Sequence, residues 1–144
     1  KGTSEKDSIS NSTKQKILSR SIVFAGAVDD AILGACYAAA DCLVFPLIDI
    51  PGDIEGFGMV AIEAAAHGTP TVAFRLGGVA DSISDGHSGH LADANDYKQL
   101  SSLISEVLAK KHSYAAPCLD HAARFSWDRF ENNLFAAISG IHSA

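Results

Sequence analysis

The chain has 144 residues, 47% hydrophobic and 19% charged, which is about one domain's length and apolar enough for a core; this is not the composition of a disordered tail or linker. Lys and Arg number 11 against 17 Asp and Glu, and the net charge of −6 argues against a nucleic-acid binder, which presents a basic face. A two-domain enzyme does not fit this length, so any activity that needs a second domain must draw on residues outside it.

Residues Lys1 to Thr13 are polar and aperiodic, and Lys14 to Ser19 read as the end of a helix. Ser21 to Gly26 is a short apolar run closed by Gly, the pattern of a buried strand. Asp29 and Asp30 are good N-caps for an Ala-rich helix to about Ala40. Cys42 to Pro46 reads as a second buried strand, followed by a loop from Leu47 to Phe57. A helix from Gly58 to His67 is stopped by Gly68 and Pro70, and Thr71 to Phe74 is a third strand. Gly77-Gly78 make a turn before a short helix, Val79 to Ser84. The turn chemistry of Asp85 to Gly89 leads into a fourth short strand, His90 to Ala92. Asp96 caps a helix to about Lys111 with apolar residues at helical spacing. Helices over Ala115 to Arg124 and Trp127 to Ile141 complete the chain, the last capped by Ser126. The apolar stretch Ala31 to Ile48 is long enough to raise the question of a membrane span, but Gly34, Asp41 and Pro46 interrupt it, and a helix followed by a strand explains it better.

Cys36, Cys42 and Cys118 are odd in number and form no C-x-x-C pair, so neither a disulfide framework nor a thiolate metal site is expected. A reduced, cytoplasmic setting follows, and the polar first residues have no apolar core of the kind a signal peptide carries.

Continuous apolar strands alternating with helices predict an α/β fold, a parallel Rossmann-like sheet with helices on both faces. Such sheets bind ligands at the carboxyl ends of their strands, here Gly26–Asp29, Pro46–Phe57 and Arg75–Gly78. The second of these runs into Glu55-Gly-Phe-Gly-Met-Val-Ala-Ile-Glu63. Gly56 and Gly58 bracket Phe57 and allow close backbone approach. The N–H groups of the helix entrance suit a phosphate or another anion. Glu63 falls on the helix's second turn beside Ala61, Ala64, Ala65 and Ala66, small neighbours that leave room for a ligand. An ionised carboxylate there suits paired hydroxyls.

These residues resemble the E-x7-E motif of retaining glycosyltransferases with the GT-B architecture, of the family 4 type. The resemblance extends to Tyr37-Ala-Ala-Ala-Asp-Cys-Leu-Val-Phe-Pro46, Glu63-Ala-Ala-Ala-His-Gly-Thr-Pro-Thr-Val-Ala73, Gly77-Gly-Val-Ala-Asp-Ser-Ile83, Asp85-Gly-His-Ser-Gly-His-Leu91 and Phe125-Ser-Trp-Asp128. It covers nearly the whole chain from about Ile22, and the blocks together are far more specific than E-x7-E alone.

The resemblance implies roles by position. Glu55 lies beside the donor sugar as the catalytic candidate. The backbone around Gly56, Phe57, Gly58, Met59 and Val60 holds the sugar and distal phosphate. Glu63 binds the ribose hydroxyls, and Gly77 and Gly78 shape the pocket wall. The cosubstrate implied is a nucleotide-diphosphate sugar, with no metal and no other cofactor; the helix N-terminus and basic side chains stabilise the leaving diphosphate. The loop Gly52 to Gly58 and the Gly-Gly-Val segment look most like mannosyltransferases of glycan or glycolipid assembly, so GDP-mannose is the expected donor and a UDP-hexose the alternative.

The family's phosphate-binding Arg and Lys segment has no counterpart here, and Lys1-Gly2 matches only its last two letters. The family's sheet has the order 3-2-1-4-5-6, and the strands read here correspond to 3, 4, 5 and 6. Without strands 1 and 2 that sheet has a central gap with unpaired edges. The chain is therefore expected to be the C-terminal, donor-binding portion of a longer or split protein. Residues 1–19 would be a polar segment after a chain break, and residues 20–144 a nucleotide-sugar-binding domain lacking its first strands. Its expected partners are the nucleotide sugar and the N-terminal portion of the same protein, with no nucleic acid. This fragment has no membrane-binding feature, so any contact with the cytosolic membrane face would lie in that other portion.

The same residues have plainer readings. His87 and His90 form H-x-x-H, which in a turn with no third ligand reads as surface. Arg75 is a loop cation near a strand end; Cys36 and Cys42 read as core, and Trp127 and Phe130 as core anchors of the last helix. The rival functional readings are a non-catalytic nucleotide-binding or interaction module of flavodoxin-like topology and a sugar-nucleotide 2-epimerase.

Overall fold

The structure is a computed structural model that describes residues 22–49 and 56–141. In chain order its elements are α1 (Asp30–Ala39), β1 (Leu43–Phe45), α2 (Met59–Ala66), β2 (Thr71–Phe74), α3 (Val79–Ser82), β3 (Gly89–Ala92), α4 (Tyr97–Ala109), a 3-10 turn (Lys111–Ser113), α5 (Ala115–Ala123) and α6 (Trp127–Ile141). The N-caps expected from Asp residues form: Asp29 accepts from the Ile32 N–H at 2.8 Å, and Asp96 from the Gln99 N–H at 2.9 Å. No helix among the described residues is long and apolar enough to cross a membrane.

The three strands pair in parallel in the order β1-β2-β3, with Leu43 opposite Thr71 and Thr71 opposite Gly89. Each is joined to the next by a helical crossover, as parallel neighbours require. The central strand β2 is buried at every position. On one side Val72 and Phe74 pack with Ala92, with Leu100 and Val107 of α4, and with Cys118 of α5. On the other side Ala73 and Leu91 meet Val79 of α3, Ile83 and Ala61 of α2. Helices thus cover both faces, the α/β Rossmann-like architecture expected from the alternating apolar runs.

Four expectations are corrected. Ile22 to Gly26 is not a strand. It is exposed, with Val23 at 87% and Phe24 at 81%, and pairs with no strand among the described residues. Cys36 lies on the exposed face of α1 and not in the core. Trp127 and Phe130 are 83% and 57% exposed; they stack edge to face on each other with ring centroids 5.8 Å apart instead of anchoring α6 to the core. His90 is not a surface turn residue: it is largely buried, and its Nε2 lies 2.8 Å from the Tyr114 hydroxyl. The expectations for residues 1–21 and 50–55 lie outside the described residues.

Phe74 is the largest fully buried side chain and also meets Tyr97 edge to face at 5.1 Å. Phe74→Ala is expected to lower unfolding free energy by about 3–5 kcal/mol, read from chemical denaturation. Burial pushes the Cys42 and Cys118 thiols up to about 11, with the Val72 backbone partly opposing this at Cys42, Asp41 adding to it there, and Cys42 adding to it at Cys118. Cys36 should therefore be the first of the three to alkylate at pH 8, and Cys42 and Cys118 should react only as the fold opens; mass spectrometry of a labelling time course measures the order.

Candidate functional site

The carboxyl ends of β1 and β2 point the same way, so the loops that follow them emerge side by side. The first loop reaches Gly56 to Gly58 and the second is Arg75 to Gly78. They touch through backbone: a Cβ on Gly78 would run into the Gly56 carbonyl oxygen and come within 3.1 Å of the Phe57 Cα. Gly58 turns the chain into α2 with φ +73°, a left-handed conformation that favours glycine. A Cβ there would sit 3.1 Å from Ser82 Oγ and 3.3 Å from the Phe45 ring. The two glycines of Gly-Phe-Gly therefore differ. Gly58 is closed in by its own protein, whereas among the described residues nothing lies within 4 Å of a Cβ on Gly56, and that side is open to them.

From Gly58 the helix begins. The Ala61 N–H donates to the Gly58 carbonyl at 2.9 Å. The N–H groups of Met59 and Val60, in the first turn, have no acceptor within the helix and give this end a partial positive charge. Gly56, Phe57, Gly58, Met59 and Val60 are thus gathered at one helix entrance. Their side chains face elsewhere: Phe57 packs on Phe125 with ring centroids 5.4 Å apart, and Phe57 and Met59 line a hollow of about 540 Å³ with Ile62, Arg124, Trp127 and Phe130.

Glu63 sits one turn further along α2 and opens into a different groove, of about 300 Å³, between α1 and α2. The groove is lined by Asp30, Leu33, Gly34, Tyr37, Glu63 and His67. The expected reason for space beside Glu63 is corrected here. Ala61, Ala64 and Ala65 turn inward and are buried, and the room comes from α1, where Gly34 presents no side chain. Tyr37, to which sequence reasoning gave no role, donates its hydroxyl to Glu63 Oε2 at 3.1 Å. Partial burial, reinforced by the neighbouring Glu63 carboxylate, raises the Tyr37 pKa above the usual phenol value, so it remains a donor at neutral pH. No spacing rule reveals this pair, which lies 26 residues apart and depends on how two helices pack.

Arg75 is taken up elsewhere: its guanidinium lies 2.8 Å from Asp85. His87 faces Asp120 at 3.7 Å. Glu55, the catalytic candidate, lies outside the described residues.

Gly-rich loops, a helix entrance and a carboxylate at the ends of parallel strands are the arrangement expected of a nucleotide-sugar site, and relatives decide the family. The family described as "Glycosyl transferases group 1" matches residues 1–123. The chain belongs to this family. Among curated relatives, the D-inositol 3-phosphate glycosyltransferase of Geodermatophilus obscurus is 40% identical over 106 residues, which are 74% of this chain and 22% of that protein. The protein of the same name from Mycolicibacterium smegmatis is 40% identical over 104 residues, 72% of this chain and 23% of that protein. The chain thus spans under a quarter of the length of these relatives. Among solved structures, sucrose-phosphate synthase from Thermosynechococcus elongatus superposes with a TM-score of 0.71 at 26% identity, over 90% of this chain and 32% of that one. The Anabaena protein HepE, solved in complex with UDP, shares the fold with a TM-score of 0.59 at 23% identity, over 73% of this chain and 29% of that one. The domain is of the GT-B glycosyltransferase type, which favours that reading over the flavodoxin-like module and the 2-epimerase.

The two loop glycines give a contrast that can be measured. Gly78→Ala should destabilise the domain by about 1–3 kcal/mol, because a backbone carbonyl cannot move aside as a flexible side chain can. Gly56→Ala should change stability by no more than about 0.5 kcal/mol. Thermal unfolding of the two variants against the unsubstituted protein tests both.

Proposed function

We propose that this chain forms the donor-binding part of a retaining glycosyltransferase that transfers a hexose from a nucleotide-diphosphate sugar. The observation that carries the proposal is the helix entrance at Gly58 with a carboxylate one turn along, at the ends of parallel strands in a group 1 glycosyl transferase. Glu63 would accept hydrogen bonds from the two ribose hydroxyls, for which an ionised carboxylate has the lone pairs. The backbone of Gly56 to Val60 would hold the sugar and distal phosphate. As the donor bond breaks, negative charge grows on the diphosphate, and the helix end is oriented in advance to stabilise it. Glu55 would stand beside the sugar as the catalytic carboxylate. No metal or further cofactor is part of the proposal.

Mannose, carried as GDP-mannose, is the proposed donor on the likeness of the Gly52 to Gly58 loop to mannosyltransferases; a UDP-hexose is the alternative. The relatives' names pair glycosyl transfer with D-inositol 3-phosphate, so a phosphorylated polyol joins a glycan or lipid-linked species as a proposed acceptor. We further propose that the remainder of the polypeptide covers the edge of β1 that is unpaired among the described residues and the apolar Ile22 to Phe24, and supplies the cations that meet the diphosphate. Arg75, committed to Asp85, is not proposed for that role. A cytoplasmic location, with any membrane contact made by that remainder, completes the reading.

Calorimetric titration of the full-length protein with GDP-mannose and UDP-glucose tests the donor. One of the two should bind, and Glu63→Ala should weaken it by about tenfold or more, the loss of charge-assisted hydrogen bonds. Unchanged affinity in Glu63→Ala removes Glu63 from the ribose site, and binding of neither donor overturns the donor assignment.

A further inference from the structure

We infer that Tyr37 is a positioning residue that aims the Glu63 carboxylate, so that discrimination of ribose from deoxyribose in the donor depends on a phenol on the neighbouring helix. The inference rests on the proposed role of Glu63 and extends it to a residue that no motif marks.

A glutamate on an exposed helix face has several rotamers, and a ligand that needs one of them must first order it. Here that order is built in. Tyr37 Oη donates to Oε2 at 3.1 Å, which fixes one oxygen and leaves Oε1, with the second lone pair of Oε2, for a diol. Tyr37 is itself held. Its carbonyl accepts from Thr69 Oγ1 at 2.6 Å and from the Ala40 N–H at 3.1 Å. Its ring lies 5.7 Å from that of His67, tilted by 34°. His67 is anchored in turn by Nδ1, 2.8 Å from the Glu63 carbonyl. A carbonyl only accepts, so Nδ1 carries the proton. Gly34 makes room for this ring, since a Cβ there would come within 3.1 Å of His67 Nε2. Gly34, His67 and Tyr37 therefore form a stack that ends at the carboxylate. Tyr37 also stays protonated at neutral pH, as a donor must.

The test compares the full-length protein with its Glu63→Ala and Tyr37→Phe variants, using UDP against 2′-deoxy-UDP and GDP against 2′-deoxy-GDP. The readout is the ratio of ribo to deoxy affinity for whichever base binds. Phe keeps the ring against His67 and removes only the hydroxyl, so a purely structural Tyr37 would leave the ratio unmoved. We expect the unsubstituted protein to favour the ribonucleotide by about tenfold, Glu63→Ala to abolish the preference, and Tyr37→Phe to reduce it by about threefold or more. A Tyr37→Phe ratio equal to that of the unsubstituted protein, alongside its loss in Glu63→Ala, overturns the positioning role and leaves the Glu63 reading intact. A preference that survives Glu63→Ala, or is absent from the start, overturns the Glu63 reading and this inference with it.

Discussion

The contact on which the site depends is between two stretches of backbone. Gly78 lies against the carbonyl of Gly56 so closely that no Cβ fits between them. Parallel pairing of β1 with β2 creates the constraint: two neighbouring strands end on the same side, and the loops that leave them share a narrow space. Without side chains at the crossing point the loops can touch. The second loop then braces the first, just before Gly58 turns the chain into α2. The direction of α2, its N–H groups and the turn on which Glu63 stands all follow from that turn.

Small residues do a second job along α2. Ala61, Ala64 and Ala65 are buried, and α5 packs closely beside them; a Cβ on Gly68 would lie 3.5 Å from Ala115. A helix with small inward residues can sit deep between sheet and neighbour, which brings its outward carboxylate near α1. The reach of the Tyr37 hydroxyl to Glu63 is a consequence of this depth. Larger residues at the three alanines would lift α2 away and break the pair.

Much of this is legible in the sequence because local chemistry and tertiary packing agree. The Asp caps of α1 and α4, the glycine entrance of α2 and the apolar runs of β1, β2 and β3 are all written in residue type and spacing, and the structure follows them. The failures share one physical cause: each depends on a partner that spacing does not encode. Ile22 to Gly26 has a strand's composition but pairs with no strand among the described residues. Trp127 and Phe130 look like anchors but have no core against them. Tyr37 looks like one more residue of an Ala-rich helix and becomes informative only when α1 is laid beside α2. Gly56 and Gly58, alike as letters, separate into an open position and a filled one only when Ser82 and Phe45 are in place.

Burial across the sheet is uneven, and this bears on how the site works. Every position of β2 is buried, whereas the middle residue of β1, Val44, is 40% exposed and its outer edge pairs with nothing among the described residues. Parallel strands are ordinarily covered on both faces and paired at both edges in the middle of a sheet. The helix entrance draws its rigidity from the β2 side, through Gly78, Val79 and Ser82. The Glu63 groove lies against α1, whose exposed face and flanking segment Ile22 to Phe24 carry little of the core. The Tyr37–Glu63 bond and the His67 ring therefore count for more than exposed contacts ordinarily do. With few apolar contacts to hold α1 against α2, a short polar chain fixes the carboxylate from the less buried side, while the helix entrance is fixed by packed backbone. The two halves of the proposed donor site thus owe their shape to different physics, close packing at the loops and directional hydrogen bonding at the groove.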